Sequence, residues 1–161
     1  EKNQGETGEL WIKGPMVVPG YWKNEKATEN SFEDGYWKSG DIASQDENGF
    51  VRIHDRKKDM INRGGYKIFS AEIENVMMLM DQVQEAALVP YPCPILGERS
   101  HAFIFPSSAS IEPNEIRLQL LEKVADYKVP DKITITKEPL PRNVNGKITK
   151  APLRERAHKE L

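Results

Sequence analysis

The chain has 161 residues, 38% hydrophobic and 30% charged, enough for one compact domain or for a small domain plus a piece of another. Its 23 Lys and Arg nearly balance 25 Asp and Glu, which leaves a net charge of −2 and no general attraction to nucleic acid or to an acidic membrane surface. Any phosphate recognition must therefore be local. Cys93 is the only cysteine, which excludes an intrachain disulfide and fits a reducing, cytoplasmic compartment. The three histidines, His54, His101 and His158, are far apart and make no metal-binding spacing, so no metal site is expected. No apolar run reaches membrane-spanning length, and there is no basic-then-apolar leader. Residue 1 is Glu, so a piece of a longer chain is expected, with any targeting signal outside it.

In chain order, residues 1–53 are rich in Gly, Trp, Tyr and short β-type runs. Leu10-Trp11-Ile12 and Met16-Val17-Val18 read as strands. The stretch FEDGYWKSGDIASQDENGFVRIHDR adds two more, with hairpin-type turns at Asp34-Gly35 and Asn48-Gly49. Two or three such strands need a partner surface. The pattern changes at HDRKKDMINRGGYKIF, where Arg56, Lys57, Lys58, Arg63 and Lys67 crowd together. A domain boundary is expected at about Arg56–Lys58. Beyond it, SAEIENVMMLMDQV reads as a helix with Ser70 as N-cap and Ile73, Val76, Met77 and Met80 on one face. EAALVPY and HAFIFPS read as strands, which leaves Cys93 in a loop. EPNEIRLQLLEKVADY reads as a helix begun by Pro113, with Ile116, Leu120 and Val124 on one face. DKITITK alternates as a strand with Ile133 and Ile135 on one side, and APLRERAHKEL closes as a short helix. Tyr66, Trp22 and Trp37 read as packing aromatics. The fold class is α+β: a small domain with a short sheet flanked by helices, preceded by strands.

PRNVNGKITK (141–150) holds Asn145-Gly146, a tight-turn signal because both residues tolerate positive φ. Lys147 follows it directly. By itself this is an ordinary solvated lysine beside a turn. It takes on meaning with GELWIKGPMVVPGYW (8–22), YWKSGDIASQDENGF (36–50), DRKKDMINRGGYKIFSAEIE (55–74) and ADYKVPDKI (125–133). In that order and spacing, these stretches resemble the C-terminal third of the adenylate-forming ligases, and the resemblance covers essentially the whole chain. That superfamily includes acyl- and aryl-CoA synthetases, aryl-acid–AMP ligases, peptide-synthetase adenylation domains and firefly luciferase. The resemblance implies that residues 1–55 end an N-terminal adenylation domain, that 56–58 form a hinge, and that 59–161 form a mobile C-terminal domain. It also implies a two-step reaction. A carboxylate attacks the α-phosphorus of ATP, giving an acyl-adenylate and pyrophosphate. A thiol of CoA or of a carrier-protein pantetheine then displaces AMP.

The resemblance assigns roles residue by residue. Lys147 matches the adenylation lysine, whose compact charge can touch both the carboxylate and the α-phosphate. Asp41 matches the ribose-binding aspartate, an acceptor-only group suited to vicinal hydroxyls. The residue before Gly40 is Ser39 where the family usually has Thr. Arg56 matches the arginine that also reaches the ribose. Lys58 falls at the hinge position, where Asp is common and Lys is also used. Gly64 and Gly65 lie where the family passes a strand beside the pantetheine channel, and the missing Cβ allows close backbone approach. Lys67 sits where some CoA ligases place a cation against the nucleotide phosphate of CoA. INRGG and LGERS also resemble stretches of aryl-acid–AMP ligases, with Arg99 read as paired to a nearby acid.

The family's Ser/Thr/Gly-rich phosphate loop does not occur in the chain. The adenine pocket, the Mg²⁺-binding acid and the acyl pocket are expected upstream, so this chain alone is expected to be catalytically incomplete. The implied partners are a carboxylic acid, CoA or a pantetheinylated carrier, and the chain's own N-terminal domain. Nucleic acid and a membrane span are not among them. The competing readings are an aryl-acid–AMP ligase that loads a carrier protein and a non-catalytic interaction module.

Overall fold

A computed structural model describes residue 3, residues 5–107 and residues 111–160. The chain divides into two compact units, Glu1–Lys58 and Asp59–Leu161.

In the first unit, strand β1 (Gly8–Ile12) is followed by helix α1 (Glu25–Ser31) and by strands β2 (Phe32–Glu33), β3 (Tyr36–Gln45) and β4 (Val51–Arg56). Strand β3 is the spine, paired antiparallel with β1, β2 and β4. The β2–β3 turn takes Asp34 and Gly35 through φ 49° and 77°, the two-residue hairpin geometry that twists with its strands. Met16-Val17-Val18 is not a strand. The Val17 N–H donates to the Gly14 carbonyl in a turn, and Met16 and Val18 are exposed. Pro15 and Pro19 deny this run the ladder donors a strand needs. Helix α1 was not foreseen because none of its residues is buried, so no apolar period marks it. Its one sequence signal is Asn24, whose side chain accepts from the Ala27 N–H at 3.1 Å.

The second unit begins with the β5 (Ile61–Arg63) and β6 (Tyr66–Ile68) hairpin and helix α2 (Ser70–Met78). Strands β7 (Val83–Cys93) and β8 (Gly97–Pro106), helix α3 (Pro113–Leu121), a 3-10 turn (Asp126–Lys128), strand β9 (Lys132–Ile135) and helix α4 (Lys150–Lys159) follow. The sheet runs β6-β5-β8-β7, and β9 joins β8 in parallel. Alternation along β7 and β8 sorts the core onto two faces. Ala86, Leu88, Ala102 and Ile104 pack with Ile73 and Met77 of α2 and Ile116 and Leu120 of α3. Ala87, Val89 and Phe103 pack with Leu140, Leu153 and Ala157, so α4 covers the opposite face. Truncating one of the buried Leu, Ile or Met side chains here to alanine costs about 2–5 kcal/mol.

The unit is α+β, as the sequence indicates, and Val124, Ile133 and Ile135 do pack against the core. Some details differ. The N-cap of α2 is Phe69; Ser70 is its first helical residue and is buried, its Oγ accepting from Lys150 Nζ at 2.7 Å. Cys93 ends β7 rather than lying in a loop, because the ladder runs through its pairing with Gly97. Trp22 and Tyr66 are exposed rather than packed, Tyr66 stacking on Tyr127 across 4.8 Å. They sit in a turn and at a hairpin tip, where no second layer reaches. Trp37 is half-buried and donates from Nε1 to the Tyr21 hydroxyl at 3.0 Å.

Candidate functional site

In the first unit, strand pairing sets Asp41 opposite Arg56. Arg56 Nη1 donates to Asp41 Oδ1 at 2.8 Å. Gly40 turns just before Asp41 with φ 73°, and its carbonyl accepts from the Lys57 N–H at 2.7 Å. A Cβ on Gly40 would make only ordinary contact with Arg56 Nη2 at 3.5 Å, so it is the positive φ that favours glycine here. Ser39 is buried and its Oγ accepts from the Asp41 N–H at 3.0 Å. Asp41 Oδ2 takes no hydrogen bond among the described residues, which leaves an acceptor beside the ion pair. The two predicted ribose residues are thus brought together. Lys58 ends this unit, exposed.

In the second unit, residues 140–149 form a loop between β9 and α4. Asn145-Gly146 is not a turn with two left-handed residues. Gly146 alone has positive φ, at 77°, because Asn143 organises the bend. The Gly146 N–H donates to the Asn143 carbonyl at 2.9 Å. Asn143 Oδ1 accepts from the N–H groups of Asn145 and Lys147, each at 3.0 Å. The Asn143 N–H donates to the Lys147 carbonyl at 2.9 Å. Both peptide groups of Lys147 are therefore held by Asn143, while the residue is exposed.

Beneath the loop, Glu85 on β7 accepts from the Leu140 N–H and from Arg142 Nη2, each at 2.7 Å. Burial works to raise the Glu85 pKa, but Arg142 and the Leu140 N–H together hold it below the ordinary carboxylate value.

Gly64 and Gly65 form the β5–β6 tip with φ 59° and 89°. The Gly64 N–H donates to the Leu96 carbonyl at 2.8 Å, and a Cβ there would meet Leu96 Cδ2 at 3.2 Å. A Cβ on Gly65 would meet nothing within 4 Å. Lys67 is exposed on β6. The hairpin stem is fixed by Arg63, which donates from Nε and Nη2 to the two Asp131 oxygens at 3.2 and 2.9 Å. The Ser100 N–H and Oγ also donate to Asp131, and Arg99 Nε lies 3.8 Å away, the acid foreseen for Arg99. Burial pushes the Asp131 pKa up, but the Arg63 bond and Ser100 bring it below its usual value.

Glu85, Arg142, Asn143, Arg63 and Asp131 were not singled out by sequence reasoning. One signal was available for Glu85: an acid opening the otherwise apolar run EAALV. The two loops anchor at opposite ends of one ladder. Gly64 is tied to Leu96 in the β7–β8 turn, whereas the 140–149 loop is tied to Glu85. Glu85 and Cys93, at that turn, are eight positions apart along β7, about 26 Å at the usual strand rise.

Residues 72–147 match the family model of the AMP-binding enzyme C-terminal domain. The matches identify a C-terminal part of an adenylate-forming ligase. The chain is 41% identical over 151 residues to a long-chain-fatty-acid–CoA ligase of Yersinia pestis, covering 94% of this chain and 27% of that protein. It is 39% identical over 159 residues to a 2,3-dihydroxybenzoate-AMP ligase of Bacillus subtilis, covering 98% of this chain and 29% of that protein. Its fold matches o-succinylbenzoate CoA synthetase of Bacillus subtilis, solved with an acyl-adenylate intermediate. The TM-score is 0.84 at 33% identity, covering 97% of this chain and 31% of that one. That synthetase has also been solved with ATP and a magnesium ion. The chain therefore spans under a third of the length of these relatives. Among its described residues, no group of three His, Cys, Asp or Glu could hold a metal ion, and no helix is long and apolar enough to cross a membrane.

Proposed function

We propose that this chain serves an ATP-dependent carboxylic acid–CoA ligase, with Asp59–Leu161 as its mobile C-terminal domain, residues 56–58 as the hinge and residues 1–55 as the end of the adenylation domain. The observation that carries the reading is the separation of the two loops. Their anchors lie about 26 Å apart on one rigid ladder, so one small site cannot hold both tips at once. A unit that presents them in turn serves two successive reactions.

In the first reaction a carboxylate oxygen attacks the α-phosphorus of ATP, and the bond to pyrophosphate breaks. Lys147 supplies a fixed positive charge between the two anions, a contribution of about 10²–10³ in rate for groups of this kind. Asp41 Oδ2 accepts from a ribose hydroxyl, and Arg56 holds the other carboxylate oxygen. In the second reaction a thiolate attacks the acyl carbon and AMP leaves. Gly65 gives the pantetheine arm an open backbone to pass, and Lys67 meets a CoA phosphate. Mg²⁺ accompanies ATP as its counter-charge; among the described residues no group of three His, Cys, Asp or Glu could hold it.

A second reading is a carrier-loading aryl-acid–AMP ligase, favoured by the similarity to 2,3-dihydroxybenzoate-AMP ligase over 98% of the chain.

The test is ATP–pyrophosphate exchange on the full-length protein with palmitate, octanoate, benzoate, 2,3-dihydroxybenzoate, 2-succinylbenzoate and cholate. Lys147→Ala should lower exchange by about 10²–10³ yet keep thioester formation from preformed acyl-adenylate. Equal loss of both steps overturns the role of Lys147. Transfer to CoA supports the leading reading, and transfer only to a pantetheinylated carrier supports the second.

A further inference from the structure

Glu85 is 8% exposed, on the β7 face that otherwise presents Ala87 and Val89. A carboxylate there costs free energy unless its oxygens are satisfied. The Leu140 N–H and Arg142 Nη2 satisfy them. Arg142 does more than close that pair. Its Nη1 donates to the Gly146 carbonyl at 2.5 Å, and that carbonyl belongs to the peptide bond leading into Lys147. One planar guanidinium therefore joins a buried strand to the tip of the loop. A plug that served stability alone would be matched by an apolar pair and would have no need to reach the tip.

We infer that Glu85 and Arg142 are positioning residues for Lys147, an inference that rests on the adenylation role proposed above. The carboxylate fixes the guanidinium, and the guanidinium fixes the peptide plane from which the lysine side chain departs. Asn143 holds the same peptide from the other side through the Lys147 N–H. Neither Glu85 nor Arg142 needs to touch substrate. A lysine at 142 would not replace the arginine fully, because a point charge lacks the planar fork that holds two acceptors in fixed directions.

The experiment uses the full-length protein and the acid that gives exchange in the panel above. Arg142→Met, Arg142→Lys and Glu85→Gln are compared with Lys147→Ala in both half-reactions. Amide hydrogen exchange at Gly146 and Lys147 is measured alongside. Arg142→Met should lower adenylation about 10- to 100-fold, the usual result of misplacing a reacting group by about 1 Å. Conversion of preformed acyl-adenylate should stay within about threefold, well short of that misplacement effect. Arg142→Lys should recover part of the loss, and both loop amides should exchange faster while those of β7 and β8 do not. Glu85→Gln should act in the same direction; if it does not fold, the half-exposed Arg142 carries the test. Equal loss of both half-reactions in Arg142→Met overturns the inference. So does unchanged adenylation in Arg142→Met where Lys147→Ala abolishes it. If Lys147→Ala itself keeps adenylation, the proposed role of Lys147 fails and the inference falls with it, a pattern distinct from failure of the clamp alone.

Discussion

The 140–149 loop and the β5–β6 hairpin are built from the same parts and differ in what they leave free. Each bends at glycine, and each is fixed by an arginine on a carboxylate of a distant segment. Arg63 spends its guanidinium at the stem, on Asp131, and the tip at Gly65 stands open. Arg142 divides its guanidinium between Glu85 and the tip carbonyl. The hairpin is thus held at its stem by Arg63 and at Gly64 by the Leu96 carbonyl, with Gly65 left bare, whereas the loop is held up to the peptide that carries Lys147. The difference follows from the task proposed for each. A tip that lets a narrow ligand pass needs bare backbone and little more. A tip that delivers a charge must fix where the side chain begins, since a lysine has four flexible bonds beyond that point.

The largest effect that would sharpen this contrast is at Asp131. Asp131→Ala leaves Arg63 half-buried without its acid, and should cost about 3–5 kcal/mol in a denaturant titration. Its kinetic signature should fall on thioester formation, with adenylation kept. Faster amide exchange at Gly146 as well as at Gly64 would break the contrast, because the two anchors would then not be independent.

His101 offers the next largest effect, and it acts on the other face. It is fully buried on β8, stacked on Phe103 at 4.1 Å, and shares a hydrogen bond with Thr134 Oγ1 at 2.8 Å. Its Nδ1 has no partner among the described residues. Burial, helped by Lys132 and Arg156 and opposed by Glu160, lowers its pKa from 6.5 to about 4. Above pH 6.5 both folded and unfolded chains hold it neutral, and stability is unaffected. Between 6.5 and about 4 the unfolded chain takes a proton that the folded chain refuses. Folding should therefore weaken as pH falls, by about 3 kcal/mol once pH is below 4. His101→Gln should flatten that slope. In the wild type, exchange in α4, which closes this face, should rise before exchange in β5 and β6. A slope unchanged in His101→Gln would assign the acid sensitivity elsewhere.

Most elements of the second unit were legible because their apolar residues recur at helix or strand periods. The faces of α2, α3 and β9 are examples. Helix α1 was not, because nothing in it is buried. Met16-Val17-Val18 misled because β-propensity describes fit to a half-buried surface, and the prolines beside it rule that surface out. At the candidate site, the residues that the sequence singled out were those on the loops themselves, Lys147, Gly64 and Gly65, and the paired Asp41 and Arg56. Their supports were not. Glu85 and Arg142 are 57 residues apart, and Arg63 and Asp131 are 68 apart. No local spacing reports such pairs: β8, paired with both β5 and β9, brings Arg63 to Asp131, and the 140–149 loop, tied down on β7, brings Arg142 to Glu85.

The smallest predicted effects separate two adjacent glycines. Gly64 and Gly65 both have positive φ, so alanine at either costs about 1 kcal/mol of stability. Their surroundings differ. A methyl at 64 presses on Leu96 Cδ2 at 3.2 Å, against the β7–β8 turn, while a methyl at 65 enters open space. Gly64→Ala should therefore lower the unfolding midpoint and leave both half-reactions intact. Gly65→Ala should lower the midpoint less and slow thioester formation about tenfold, since one methyl placed where a ligand passes has that order of effect. Adenylation should be unchanged in both. A hairpin that acts only as scaffold would give two variants of equal activity. A Gly65→Ala enzyme with normal transfer to CoA would therefore remove the hairpin tip from the thioester step and leave the 140–149 loop as the one functional tip of this unit.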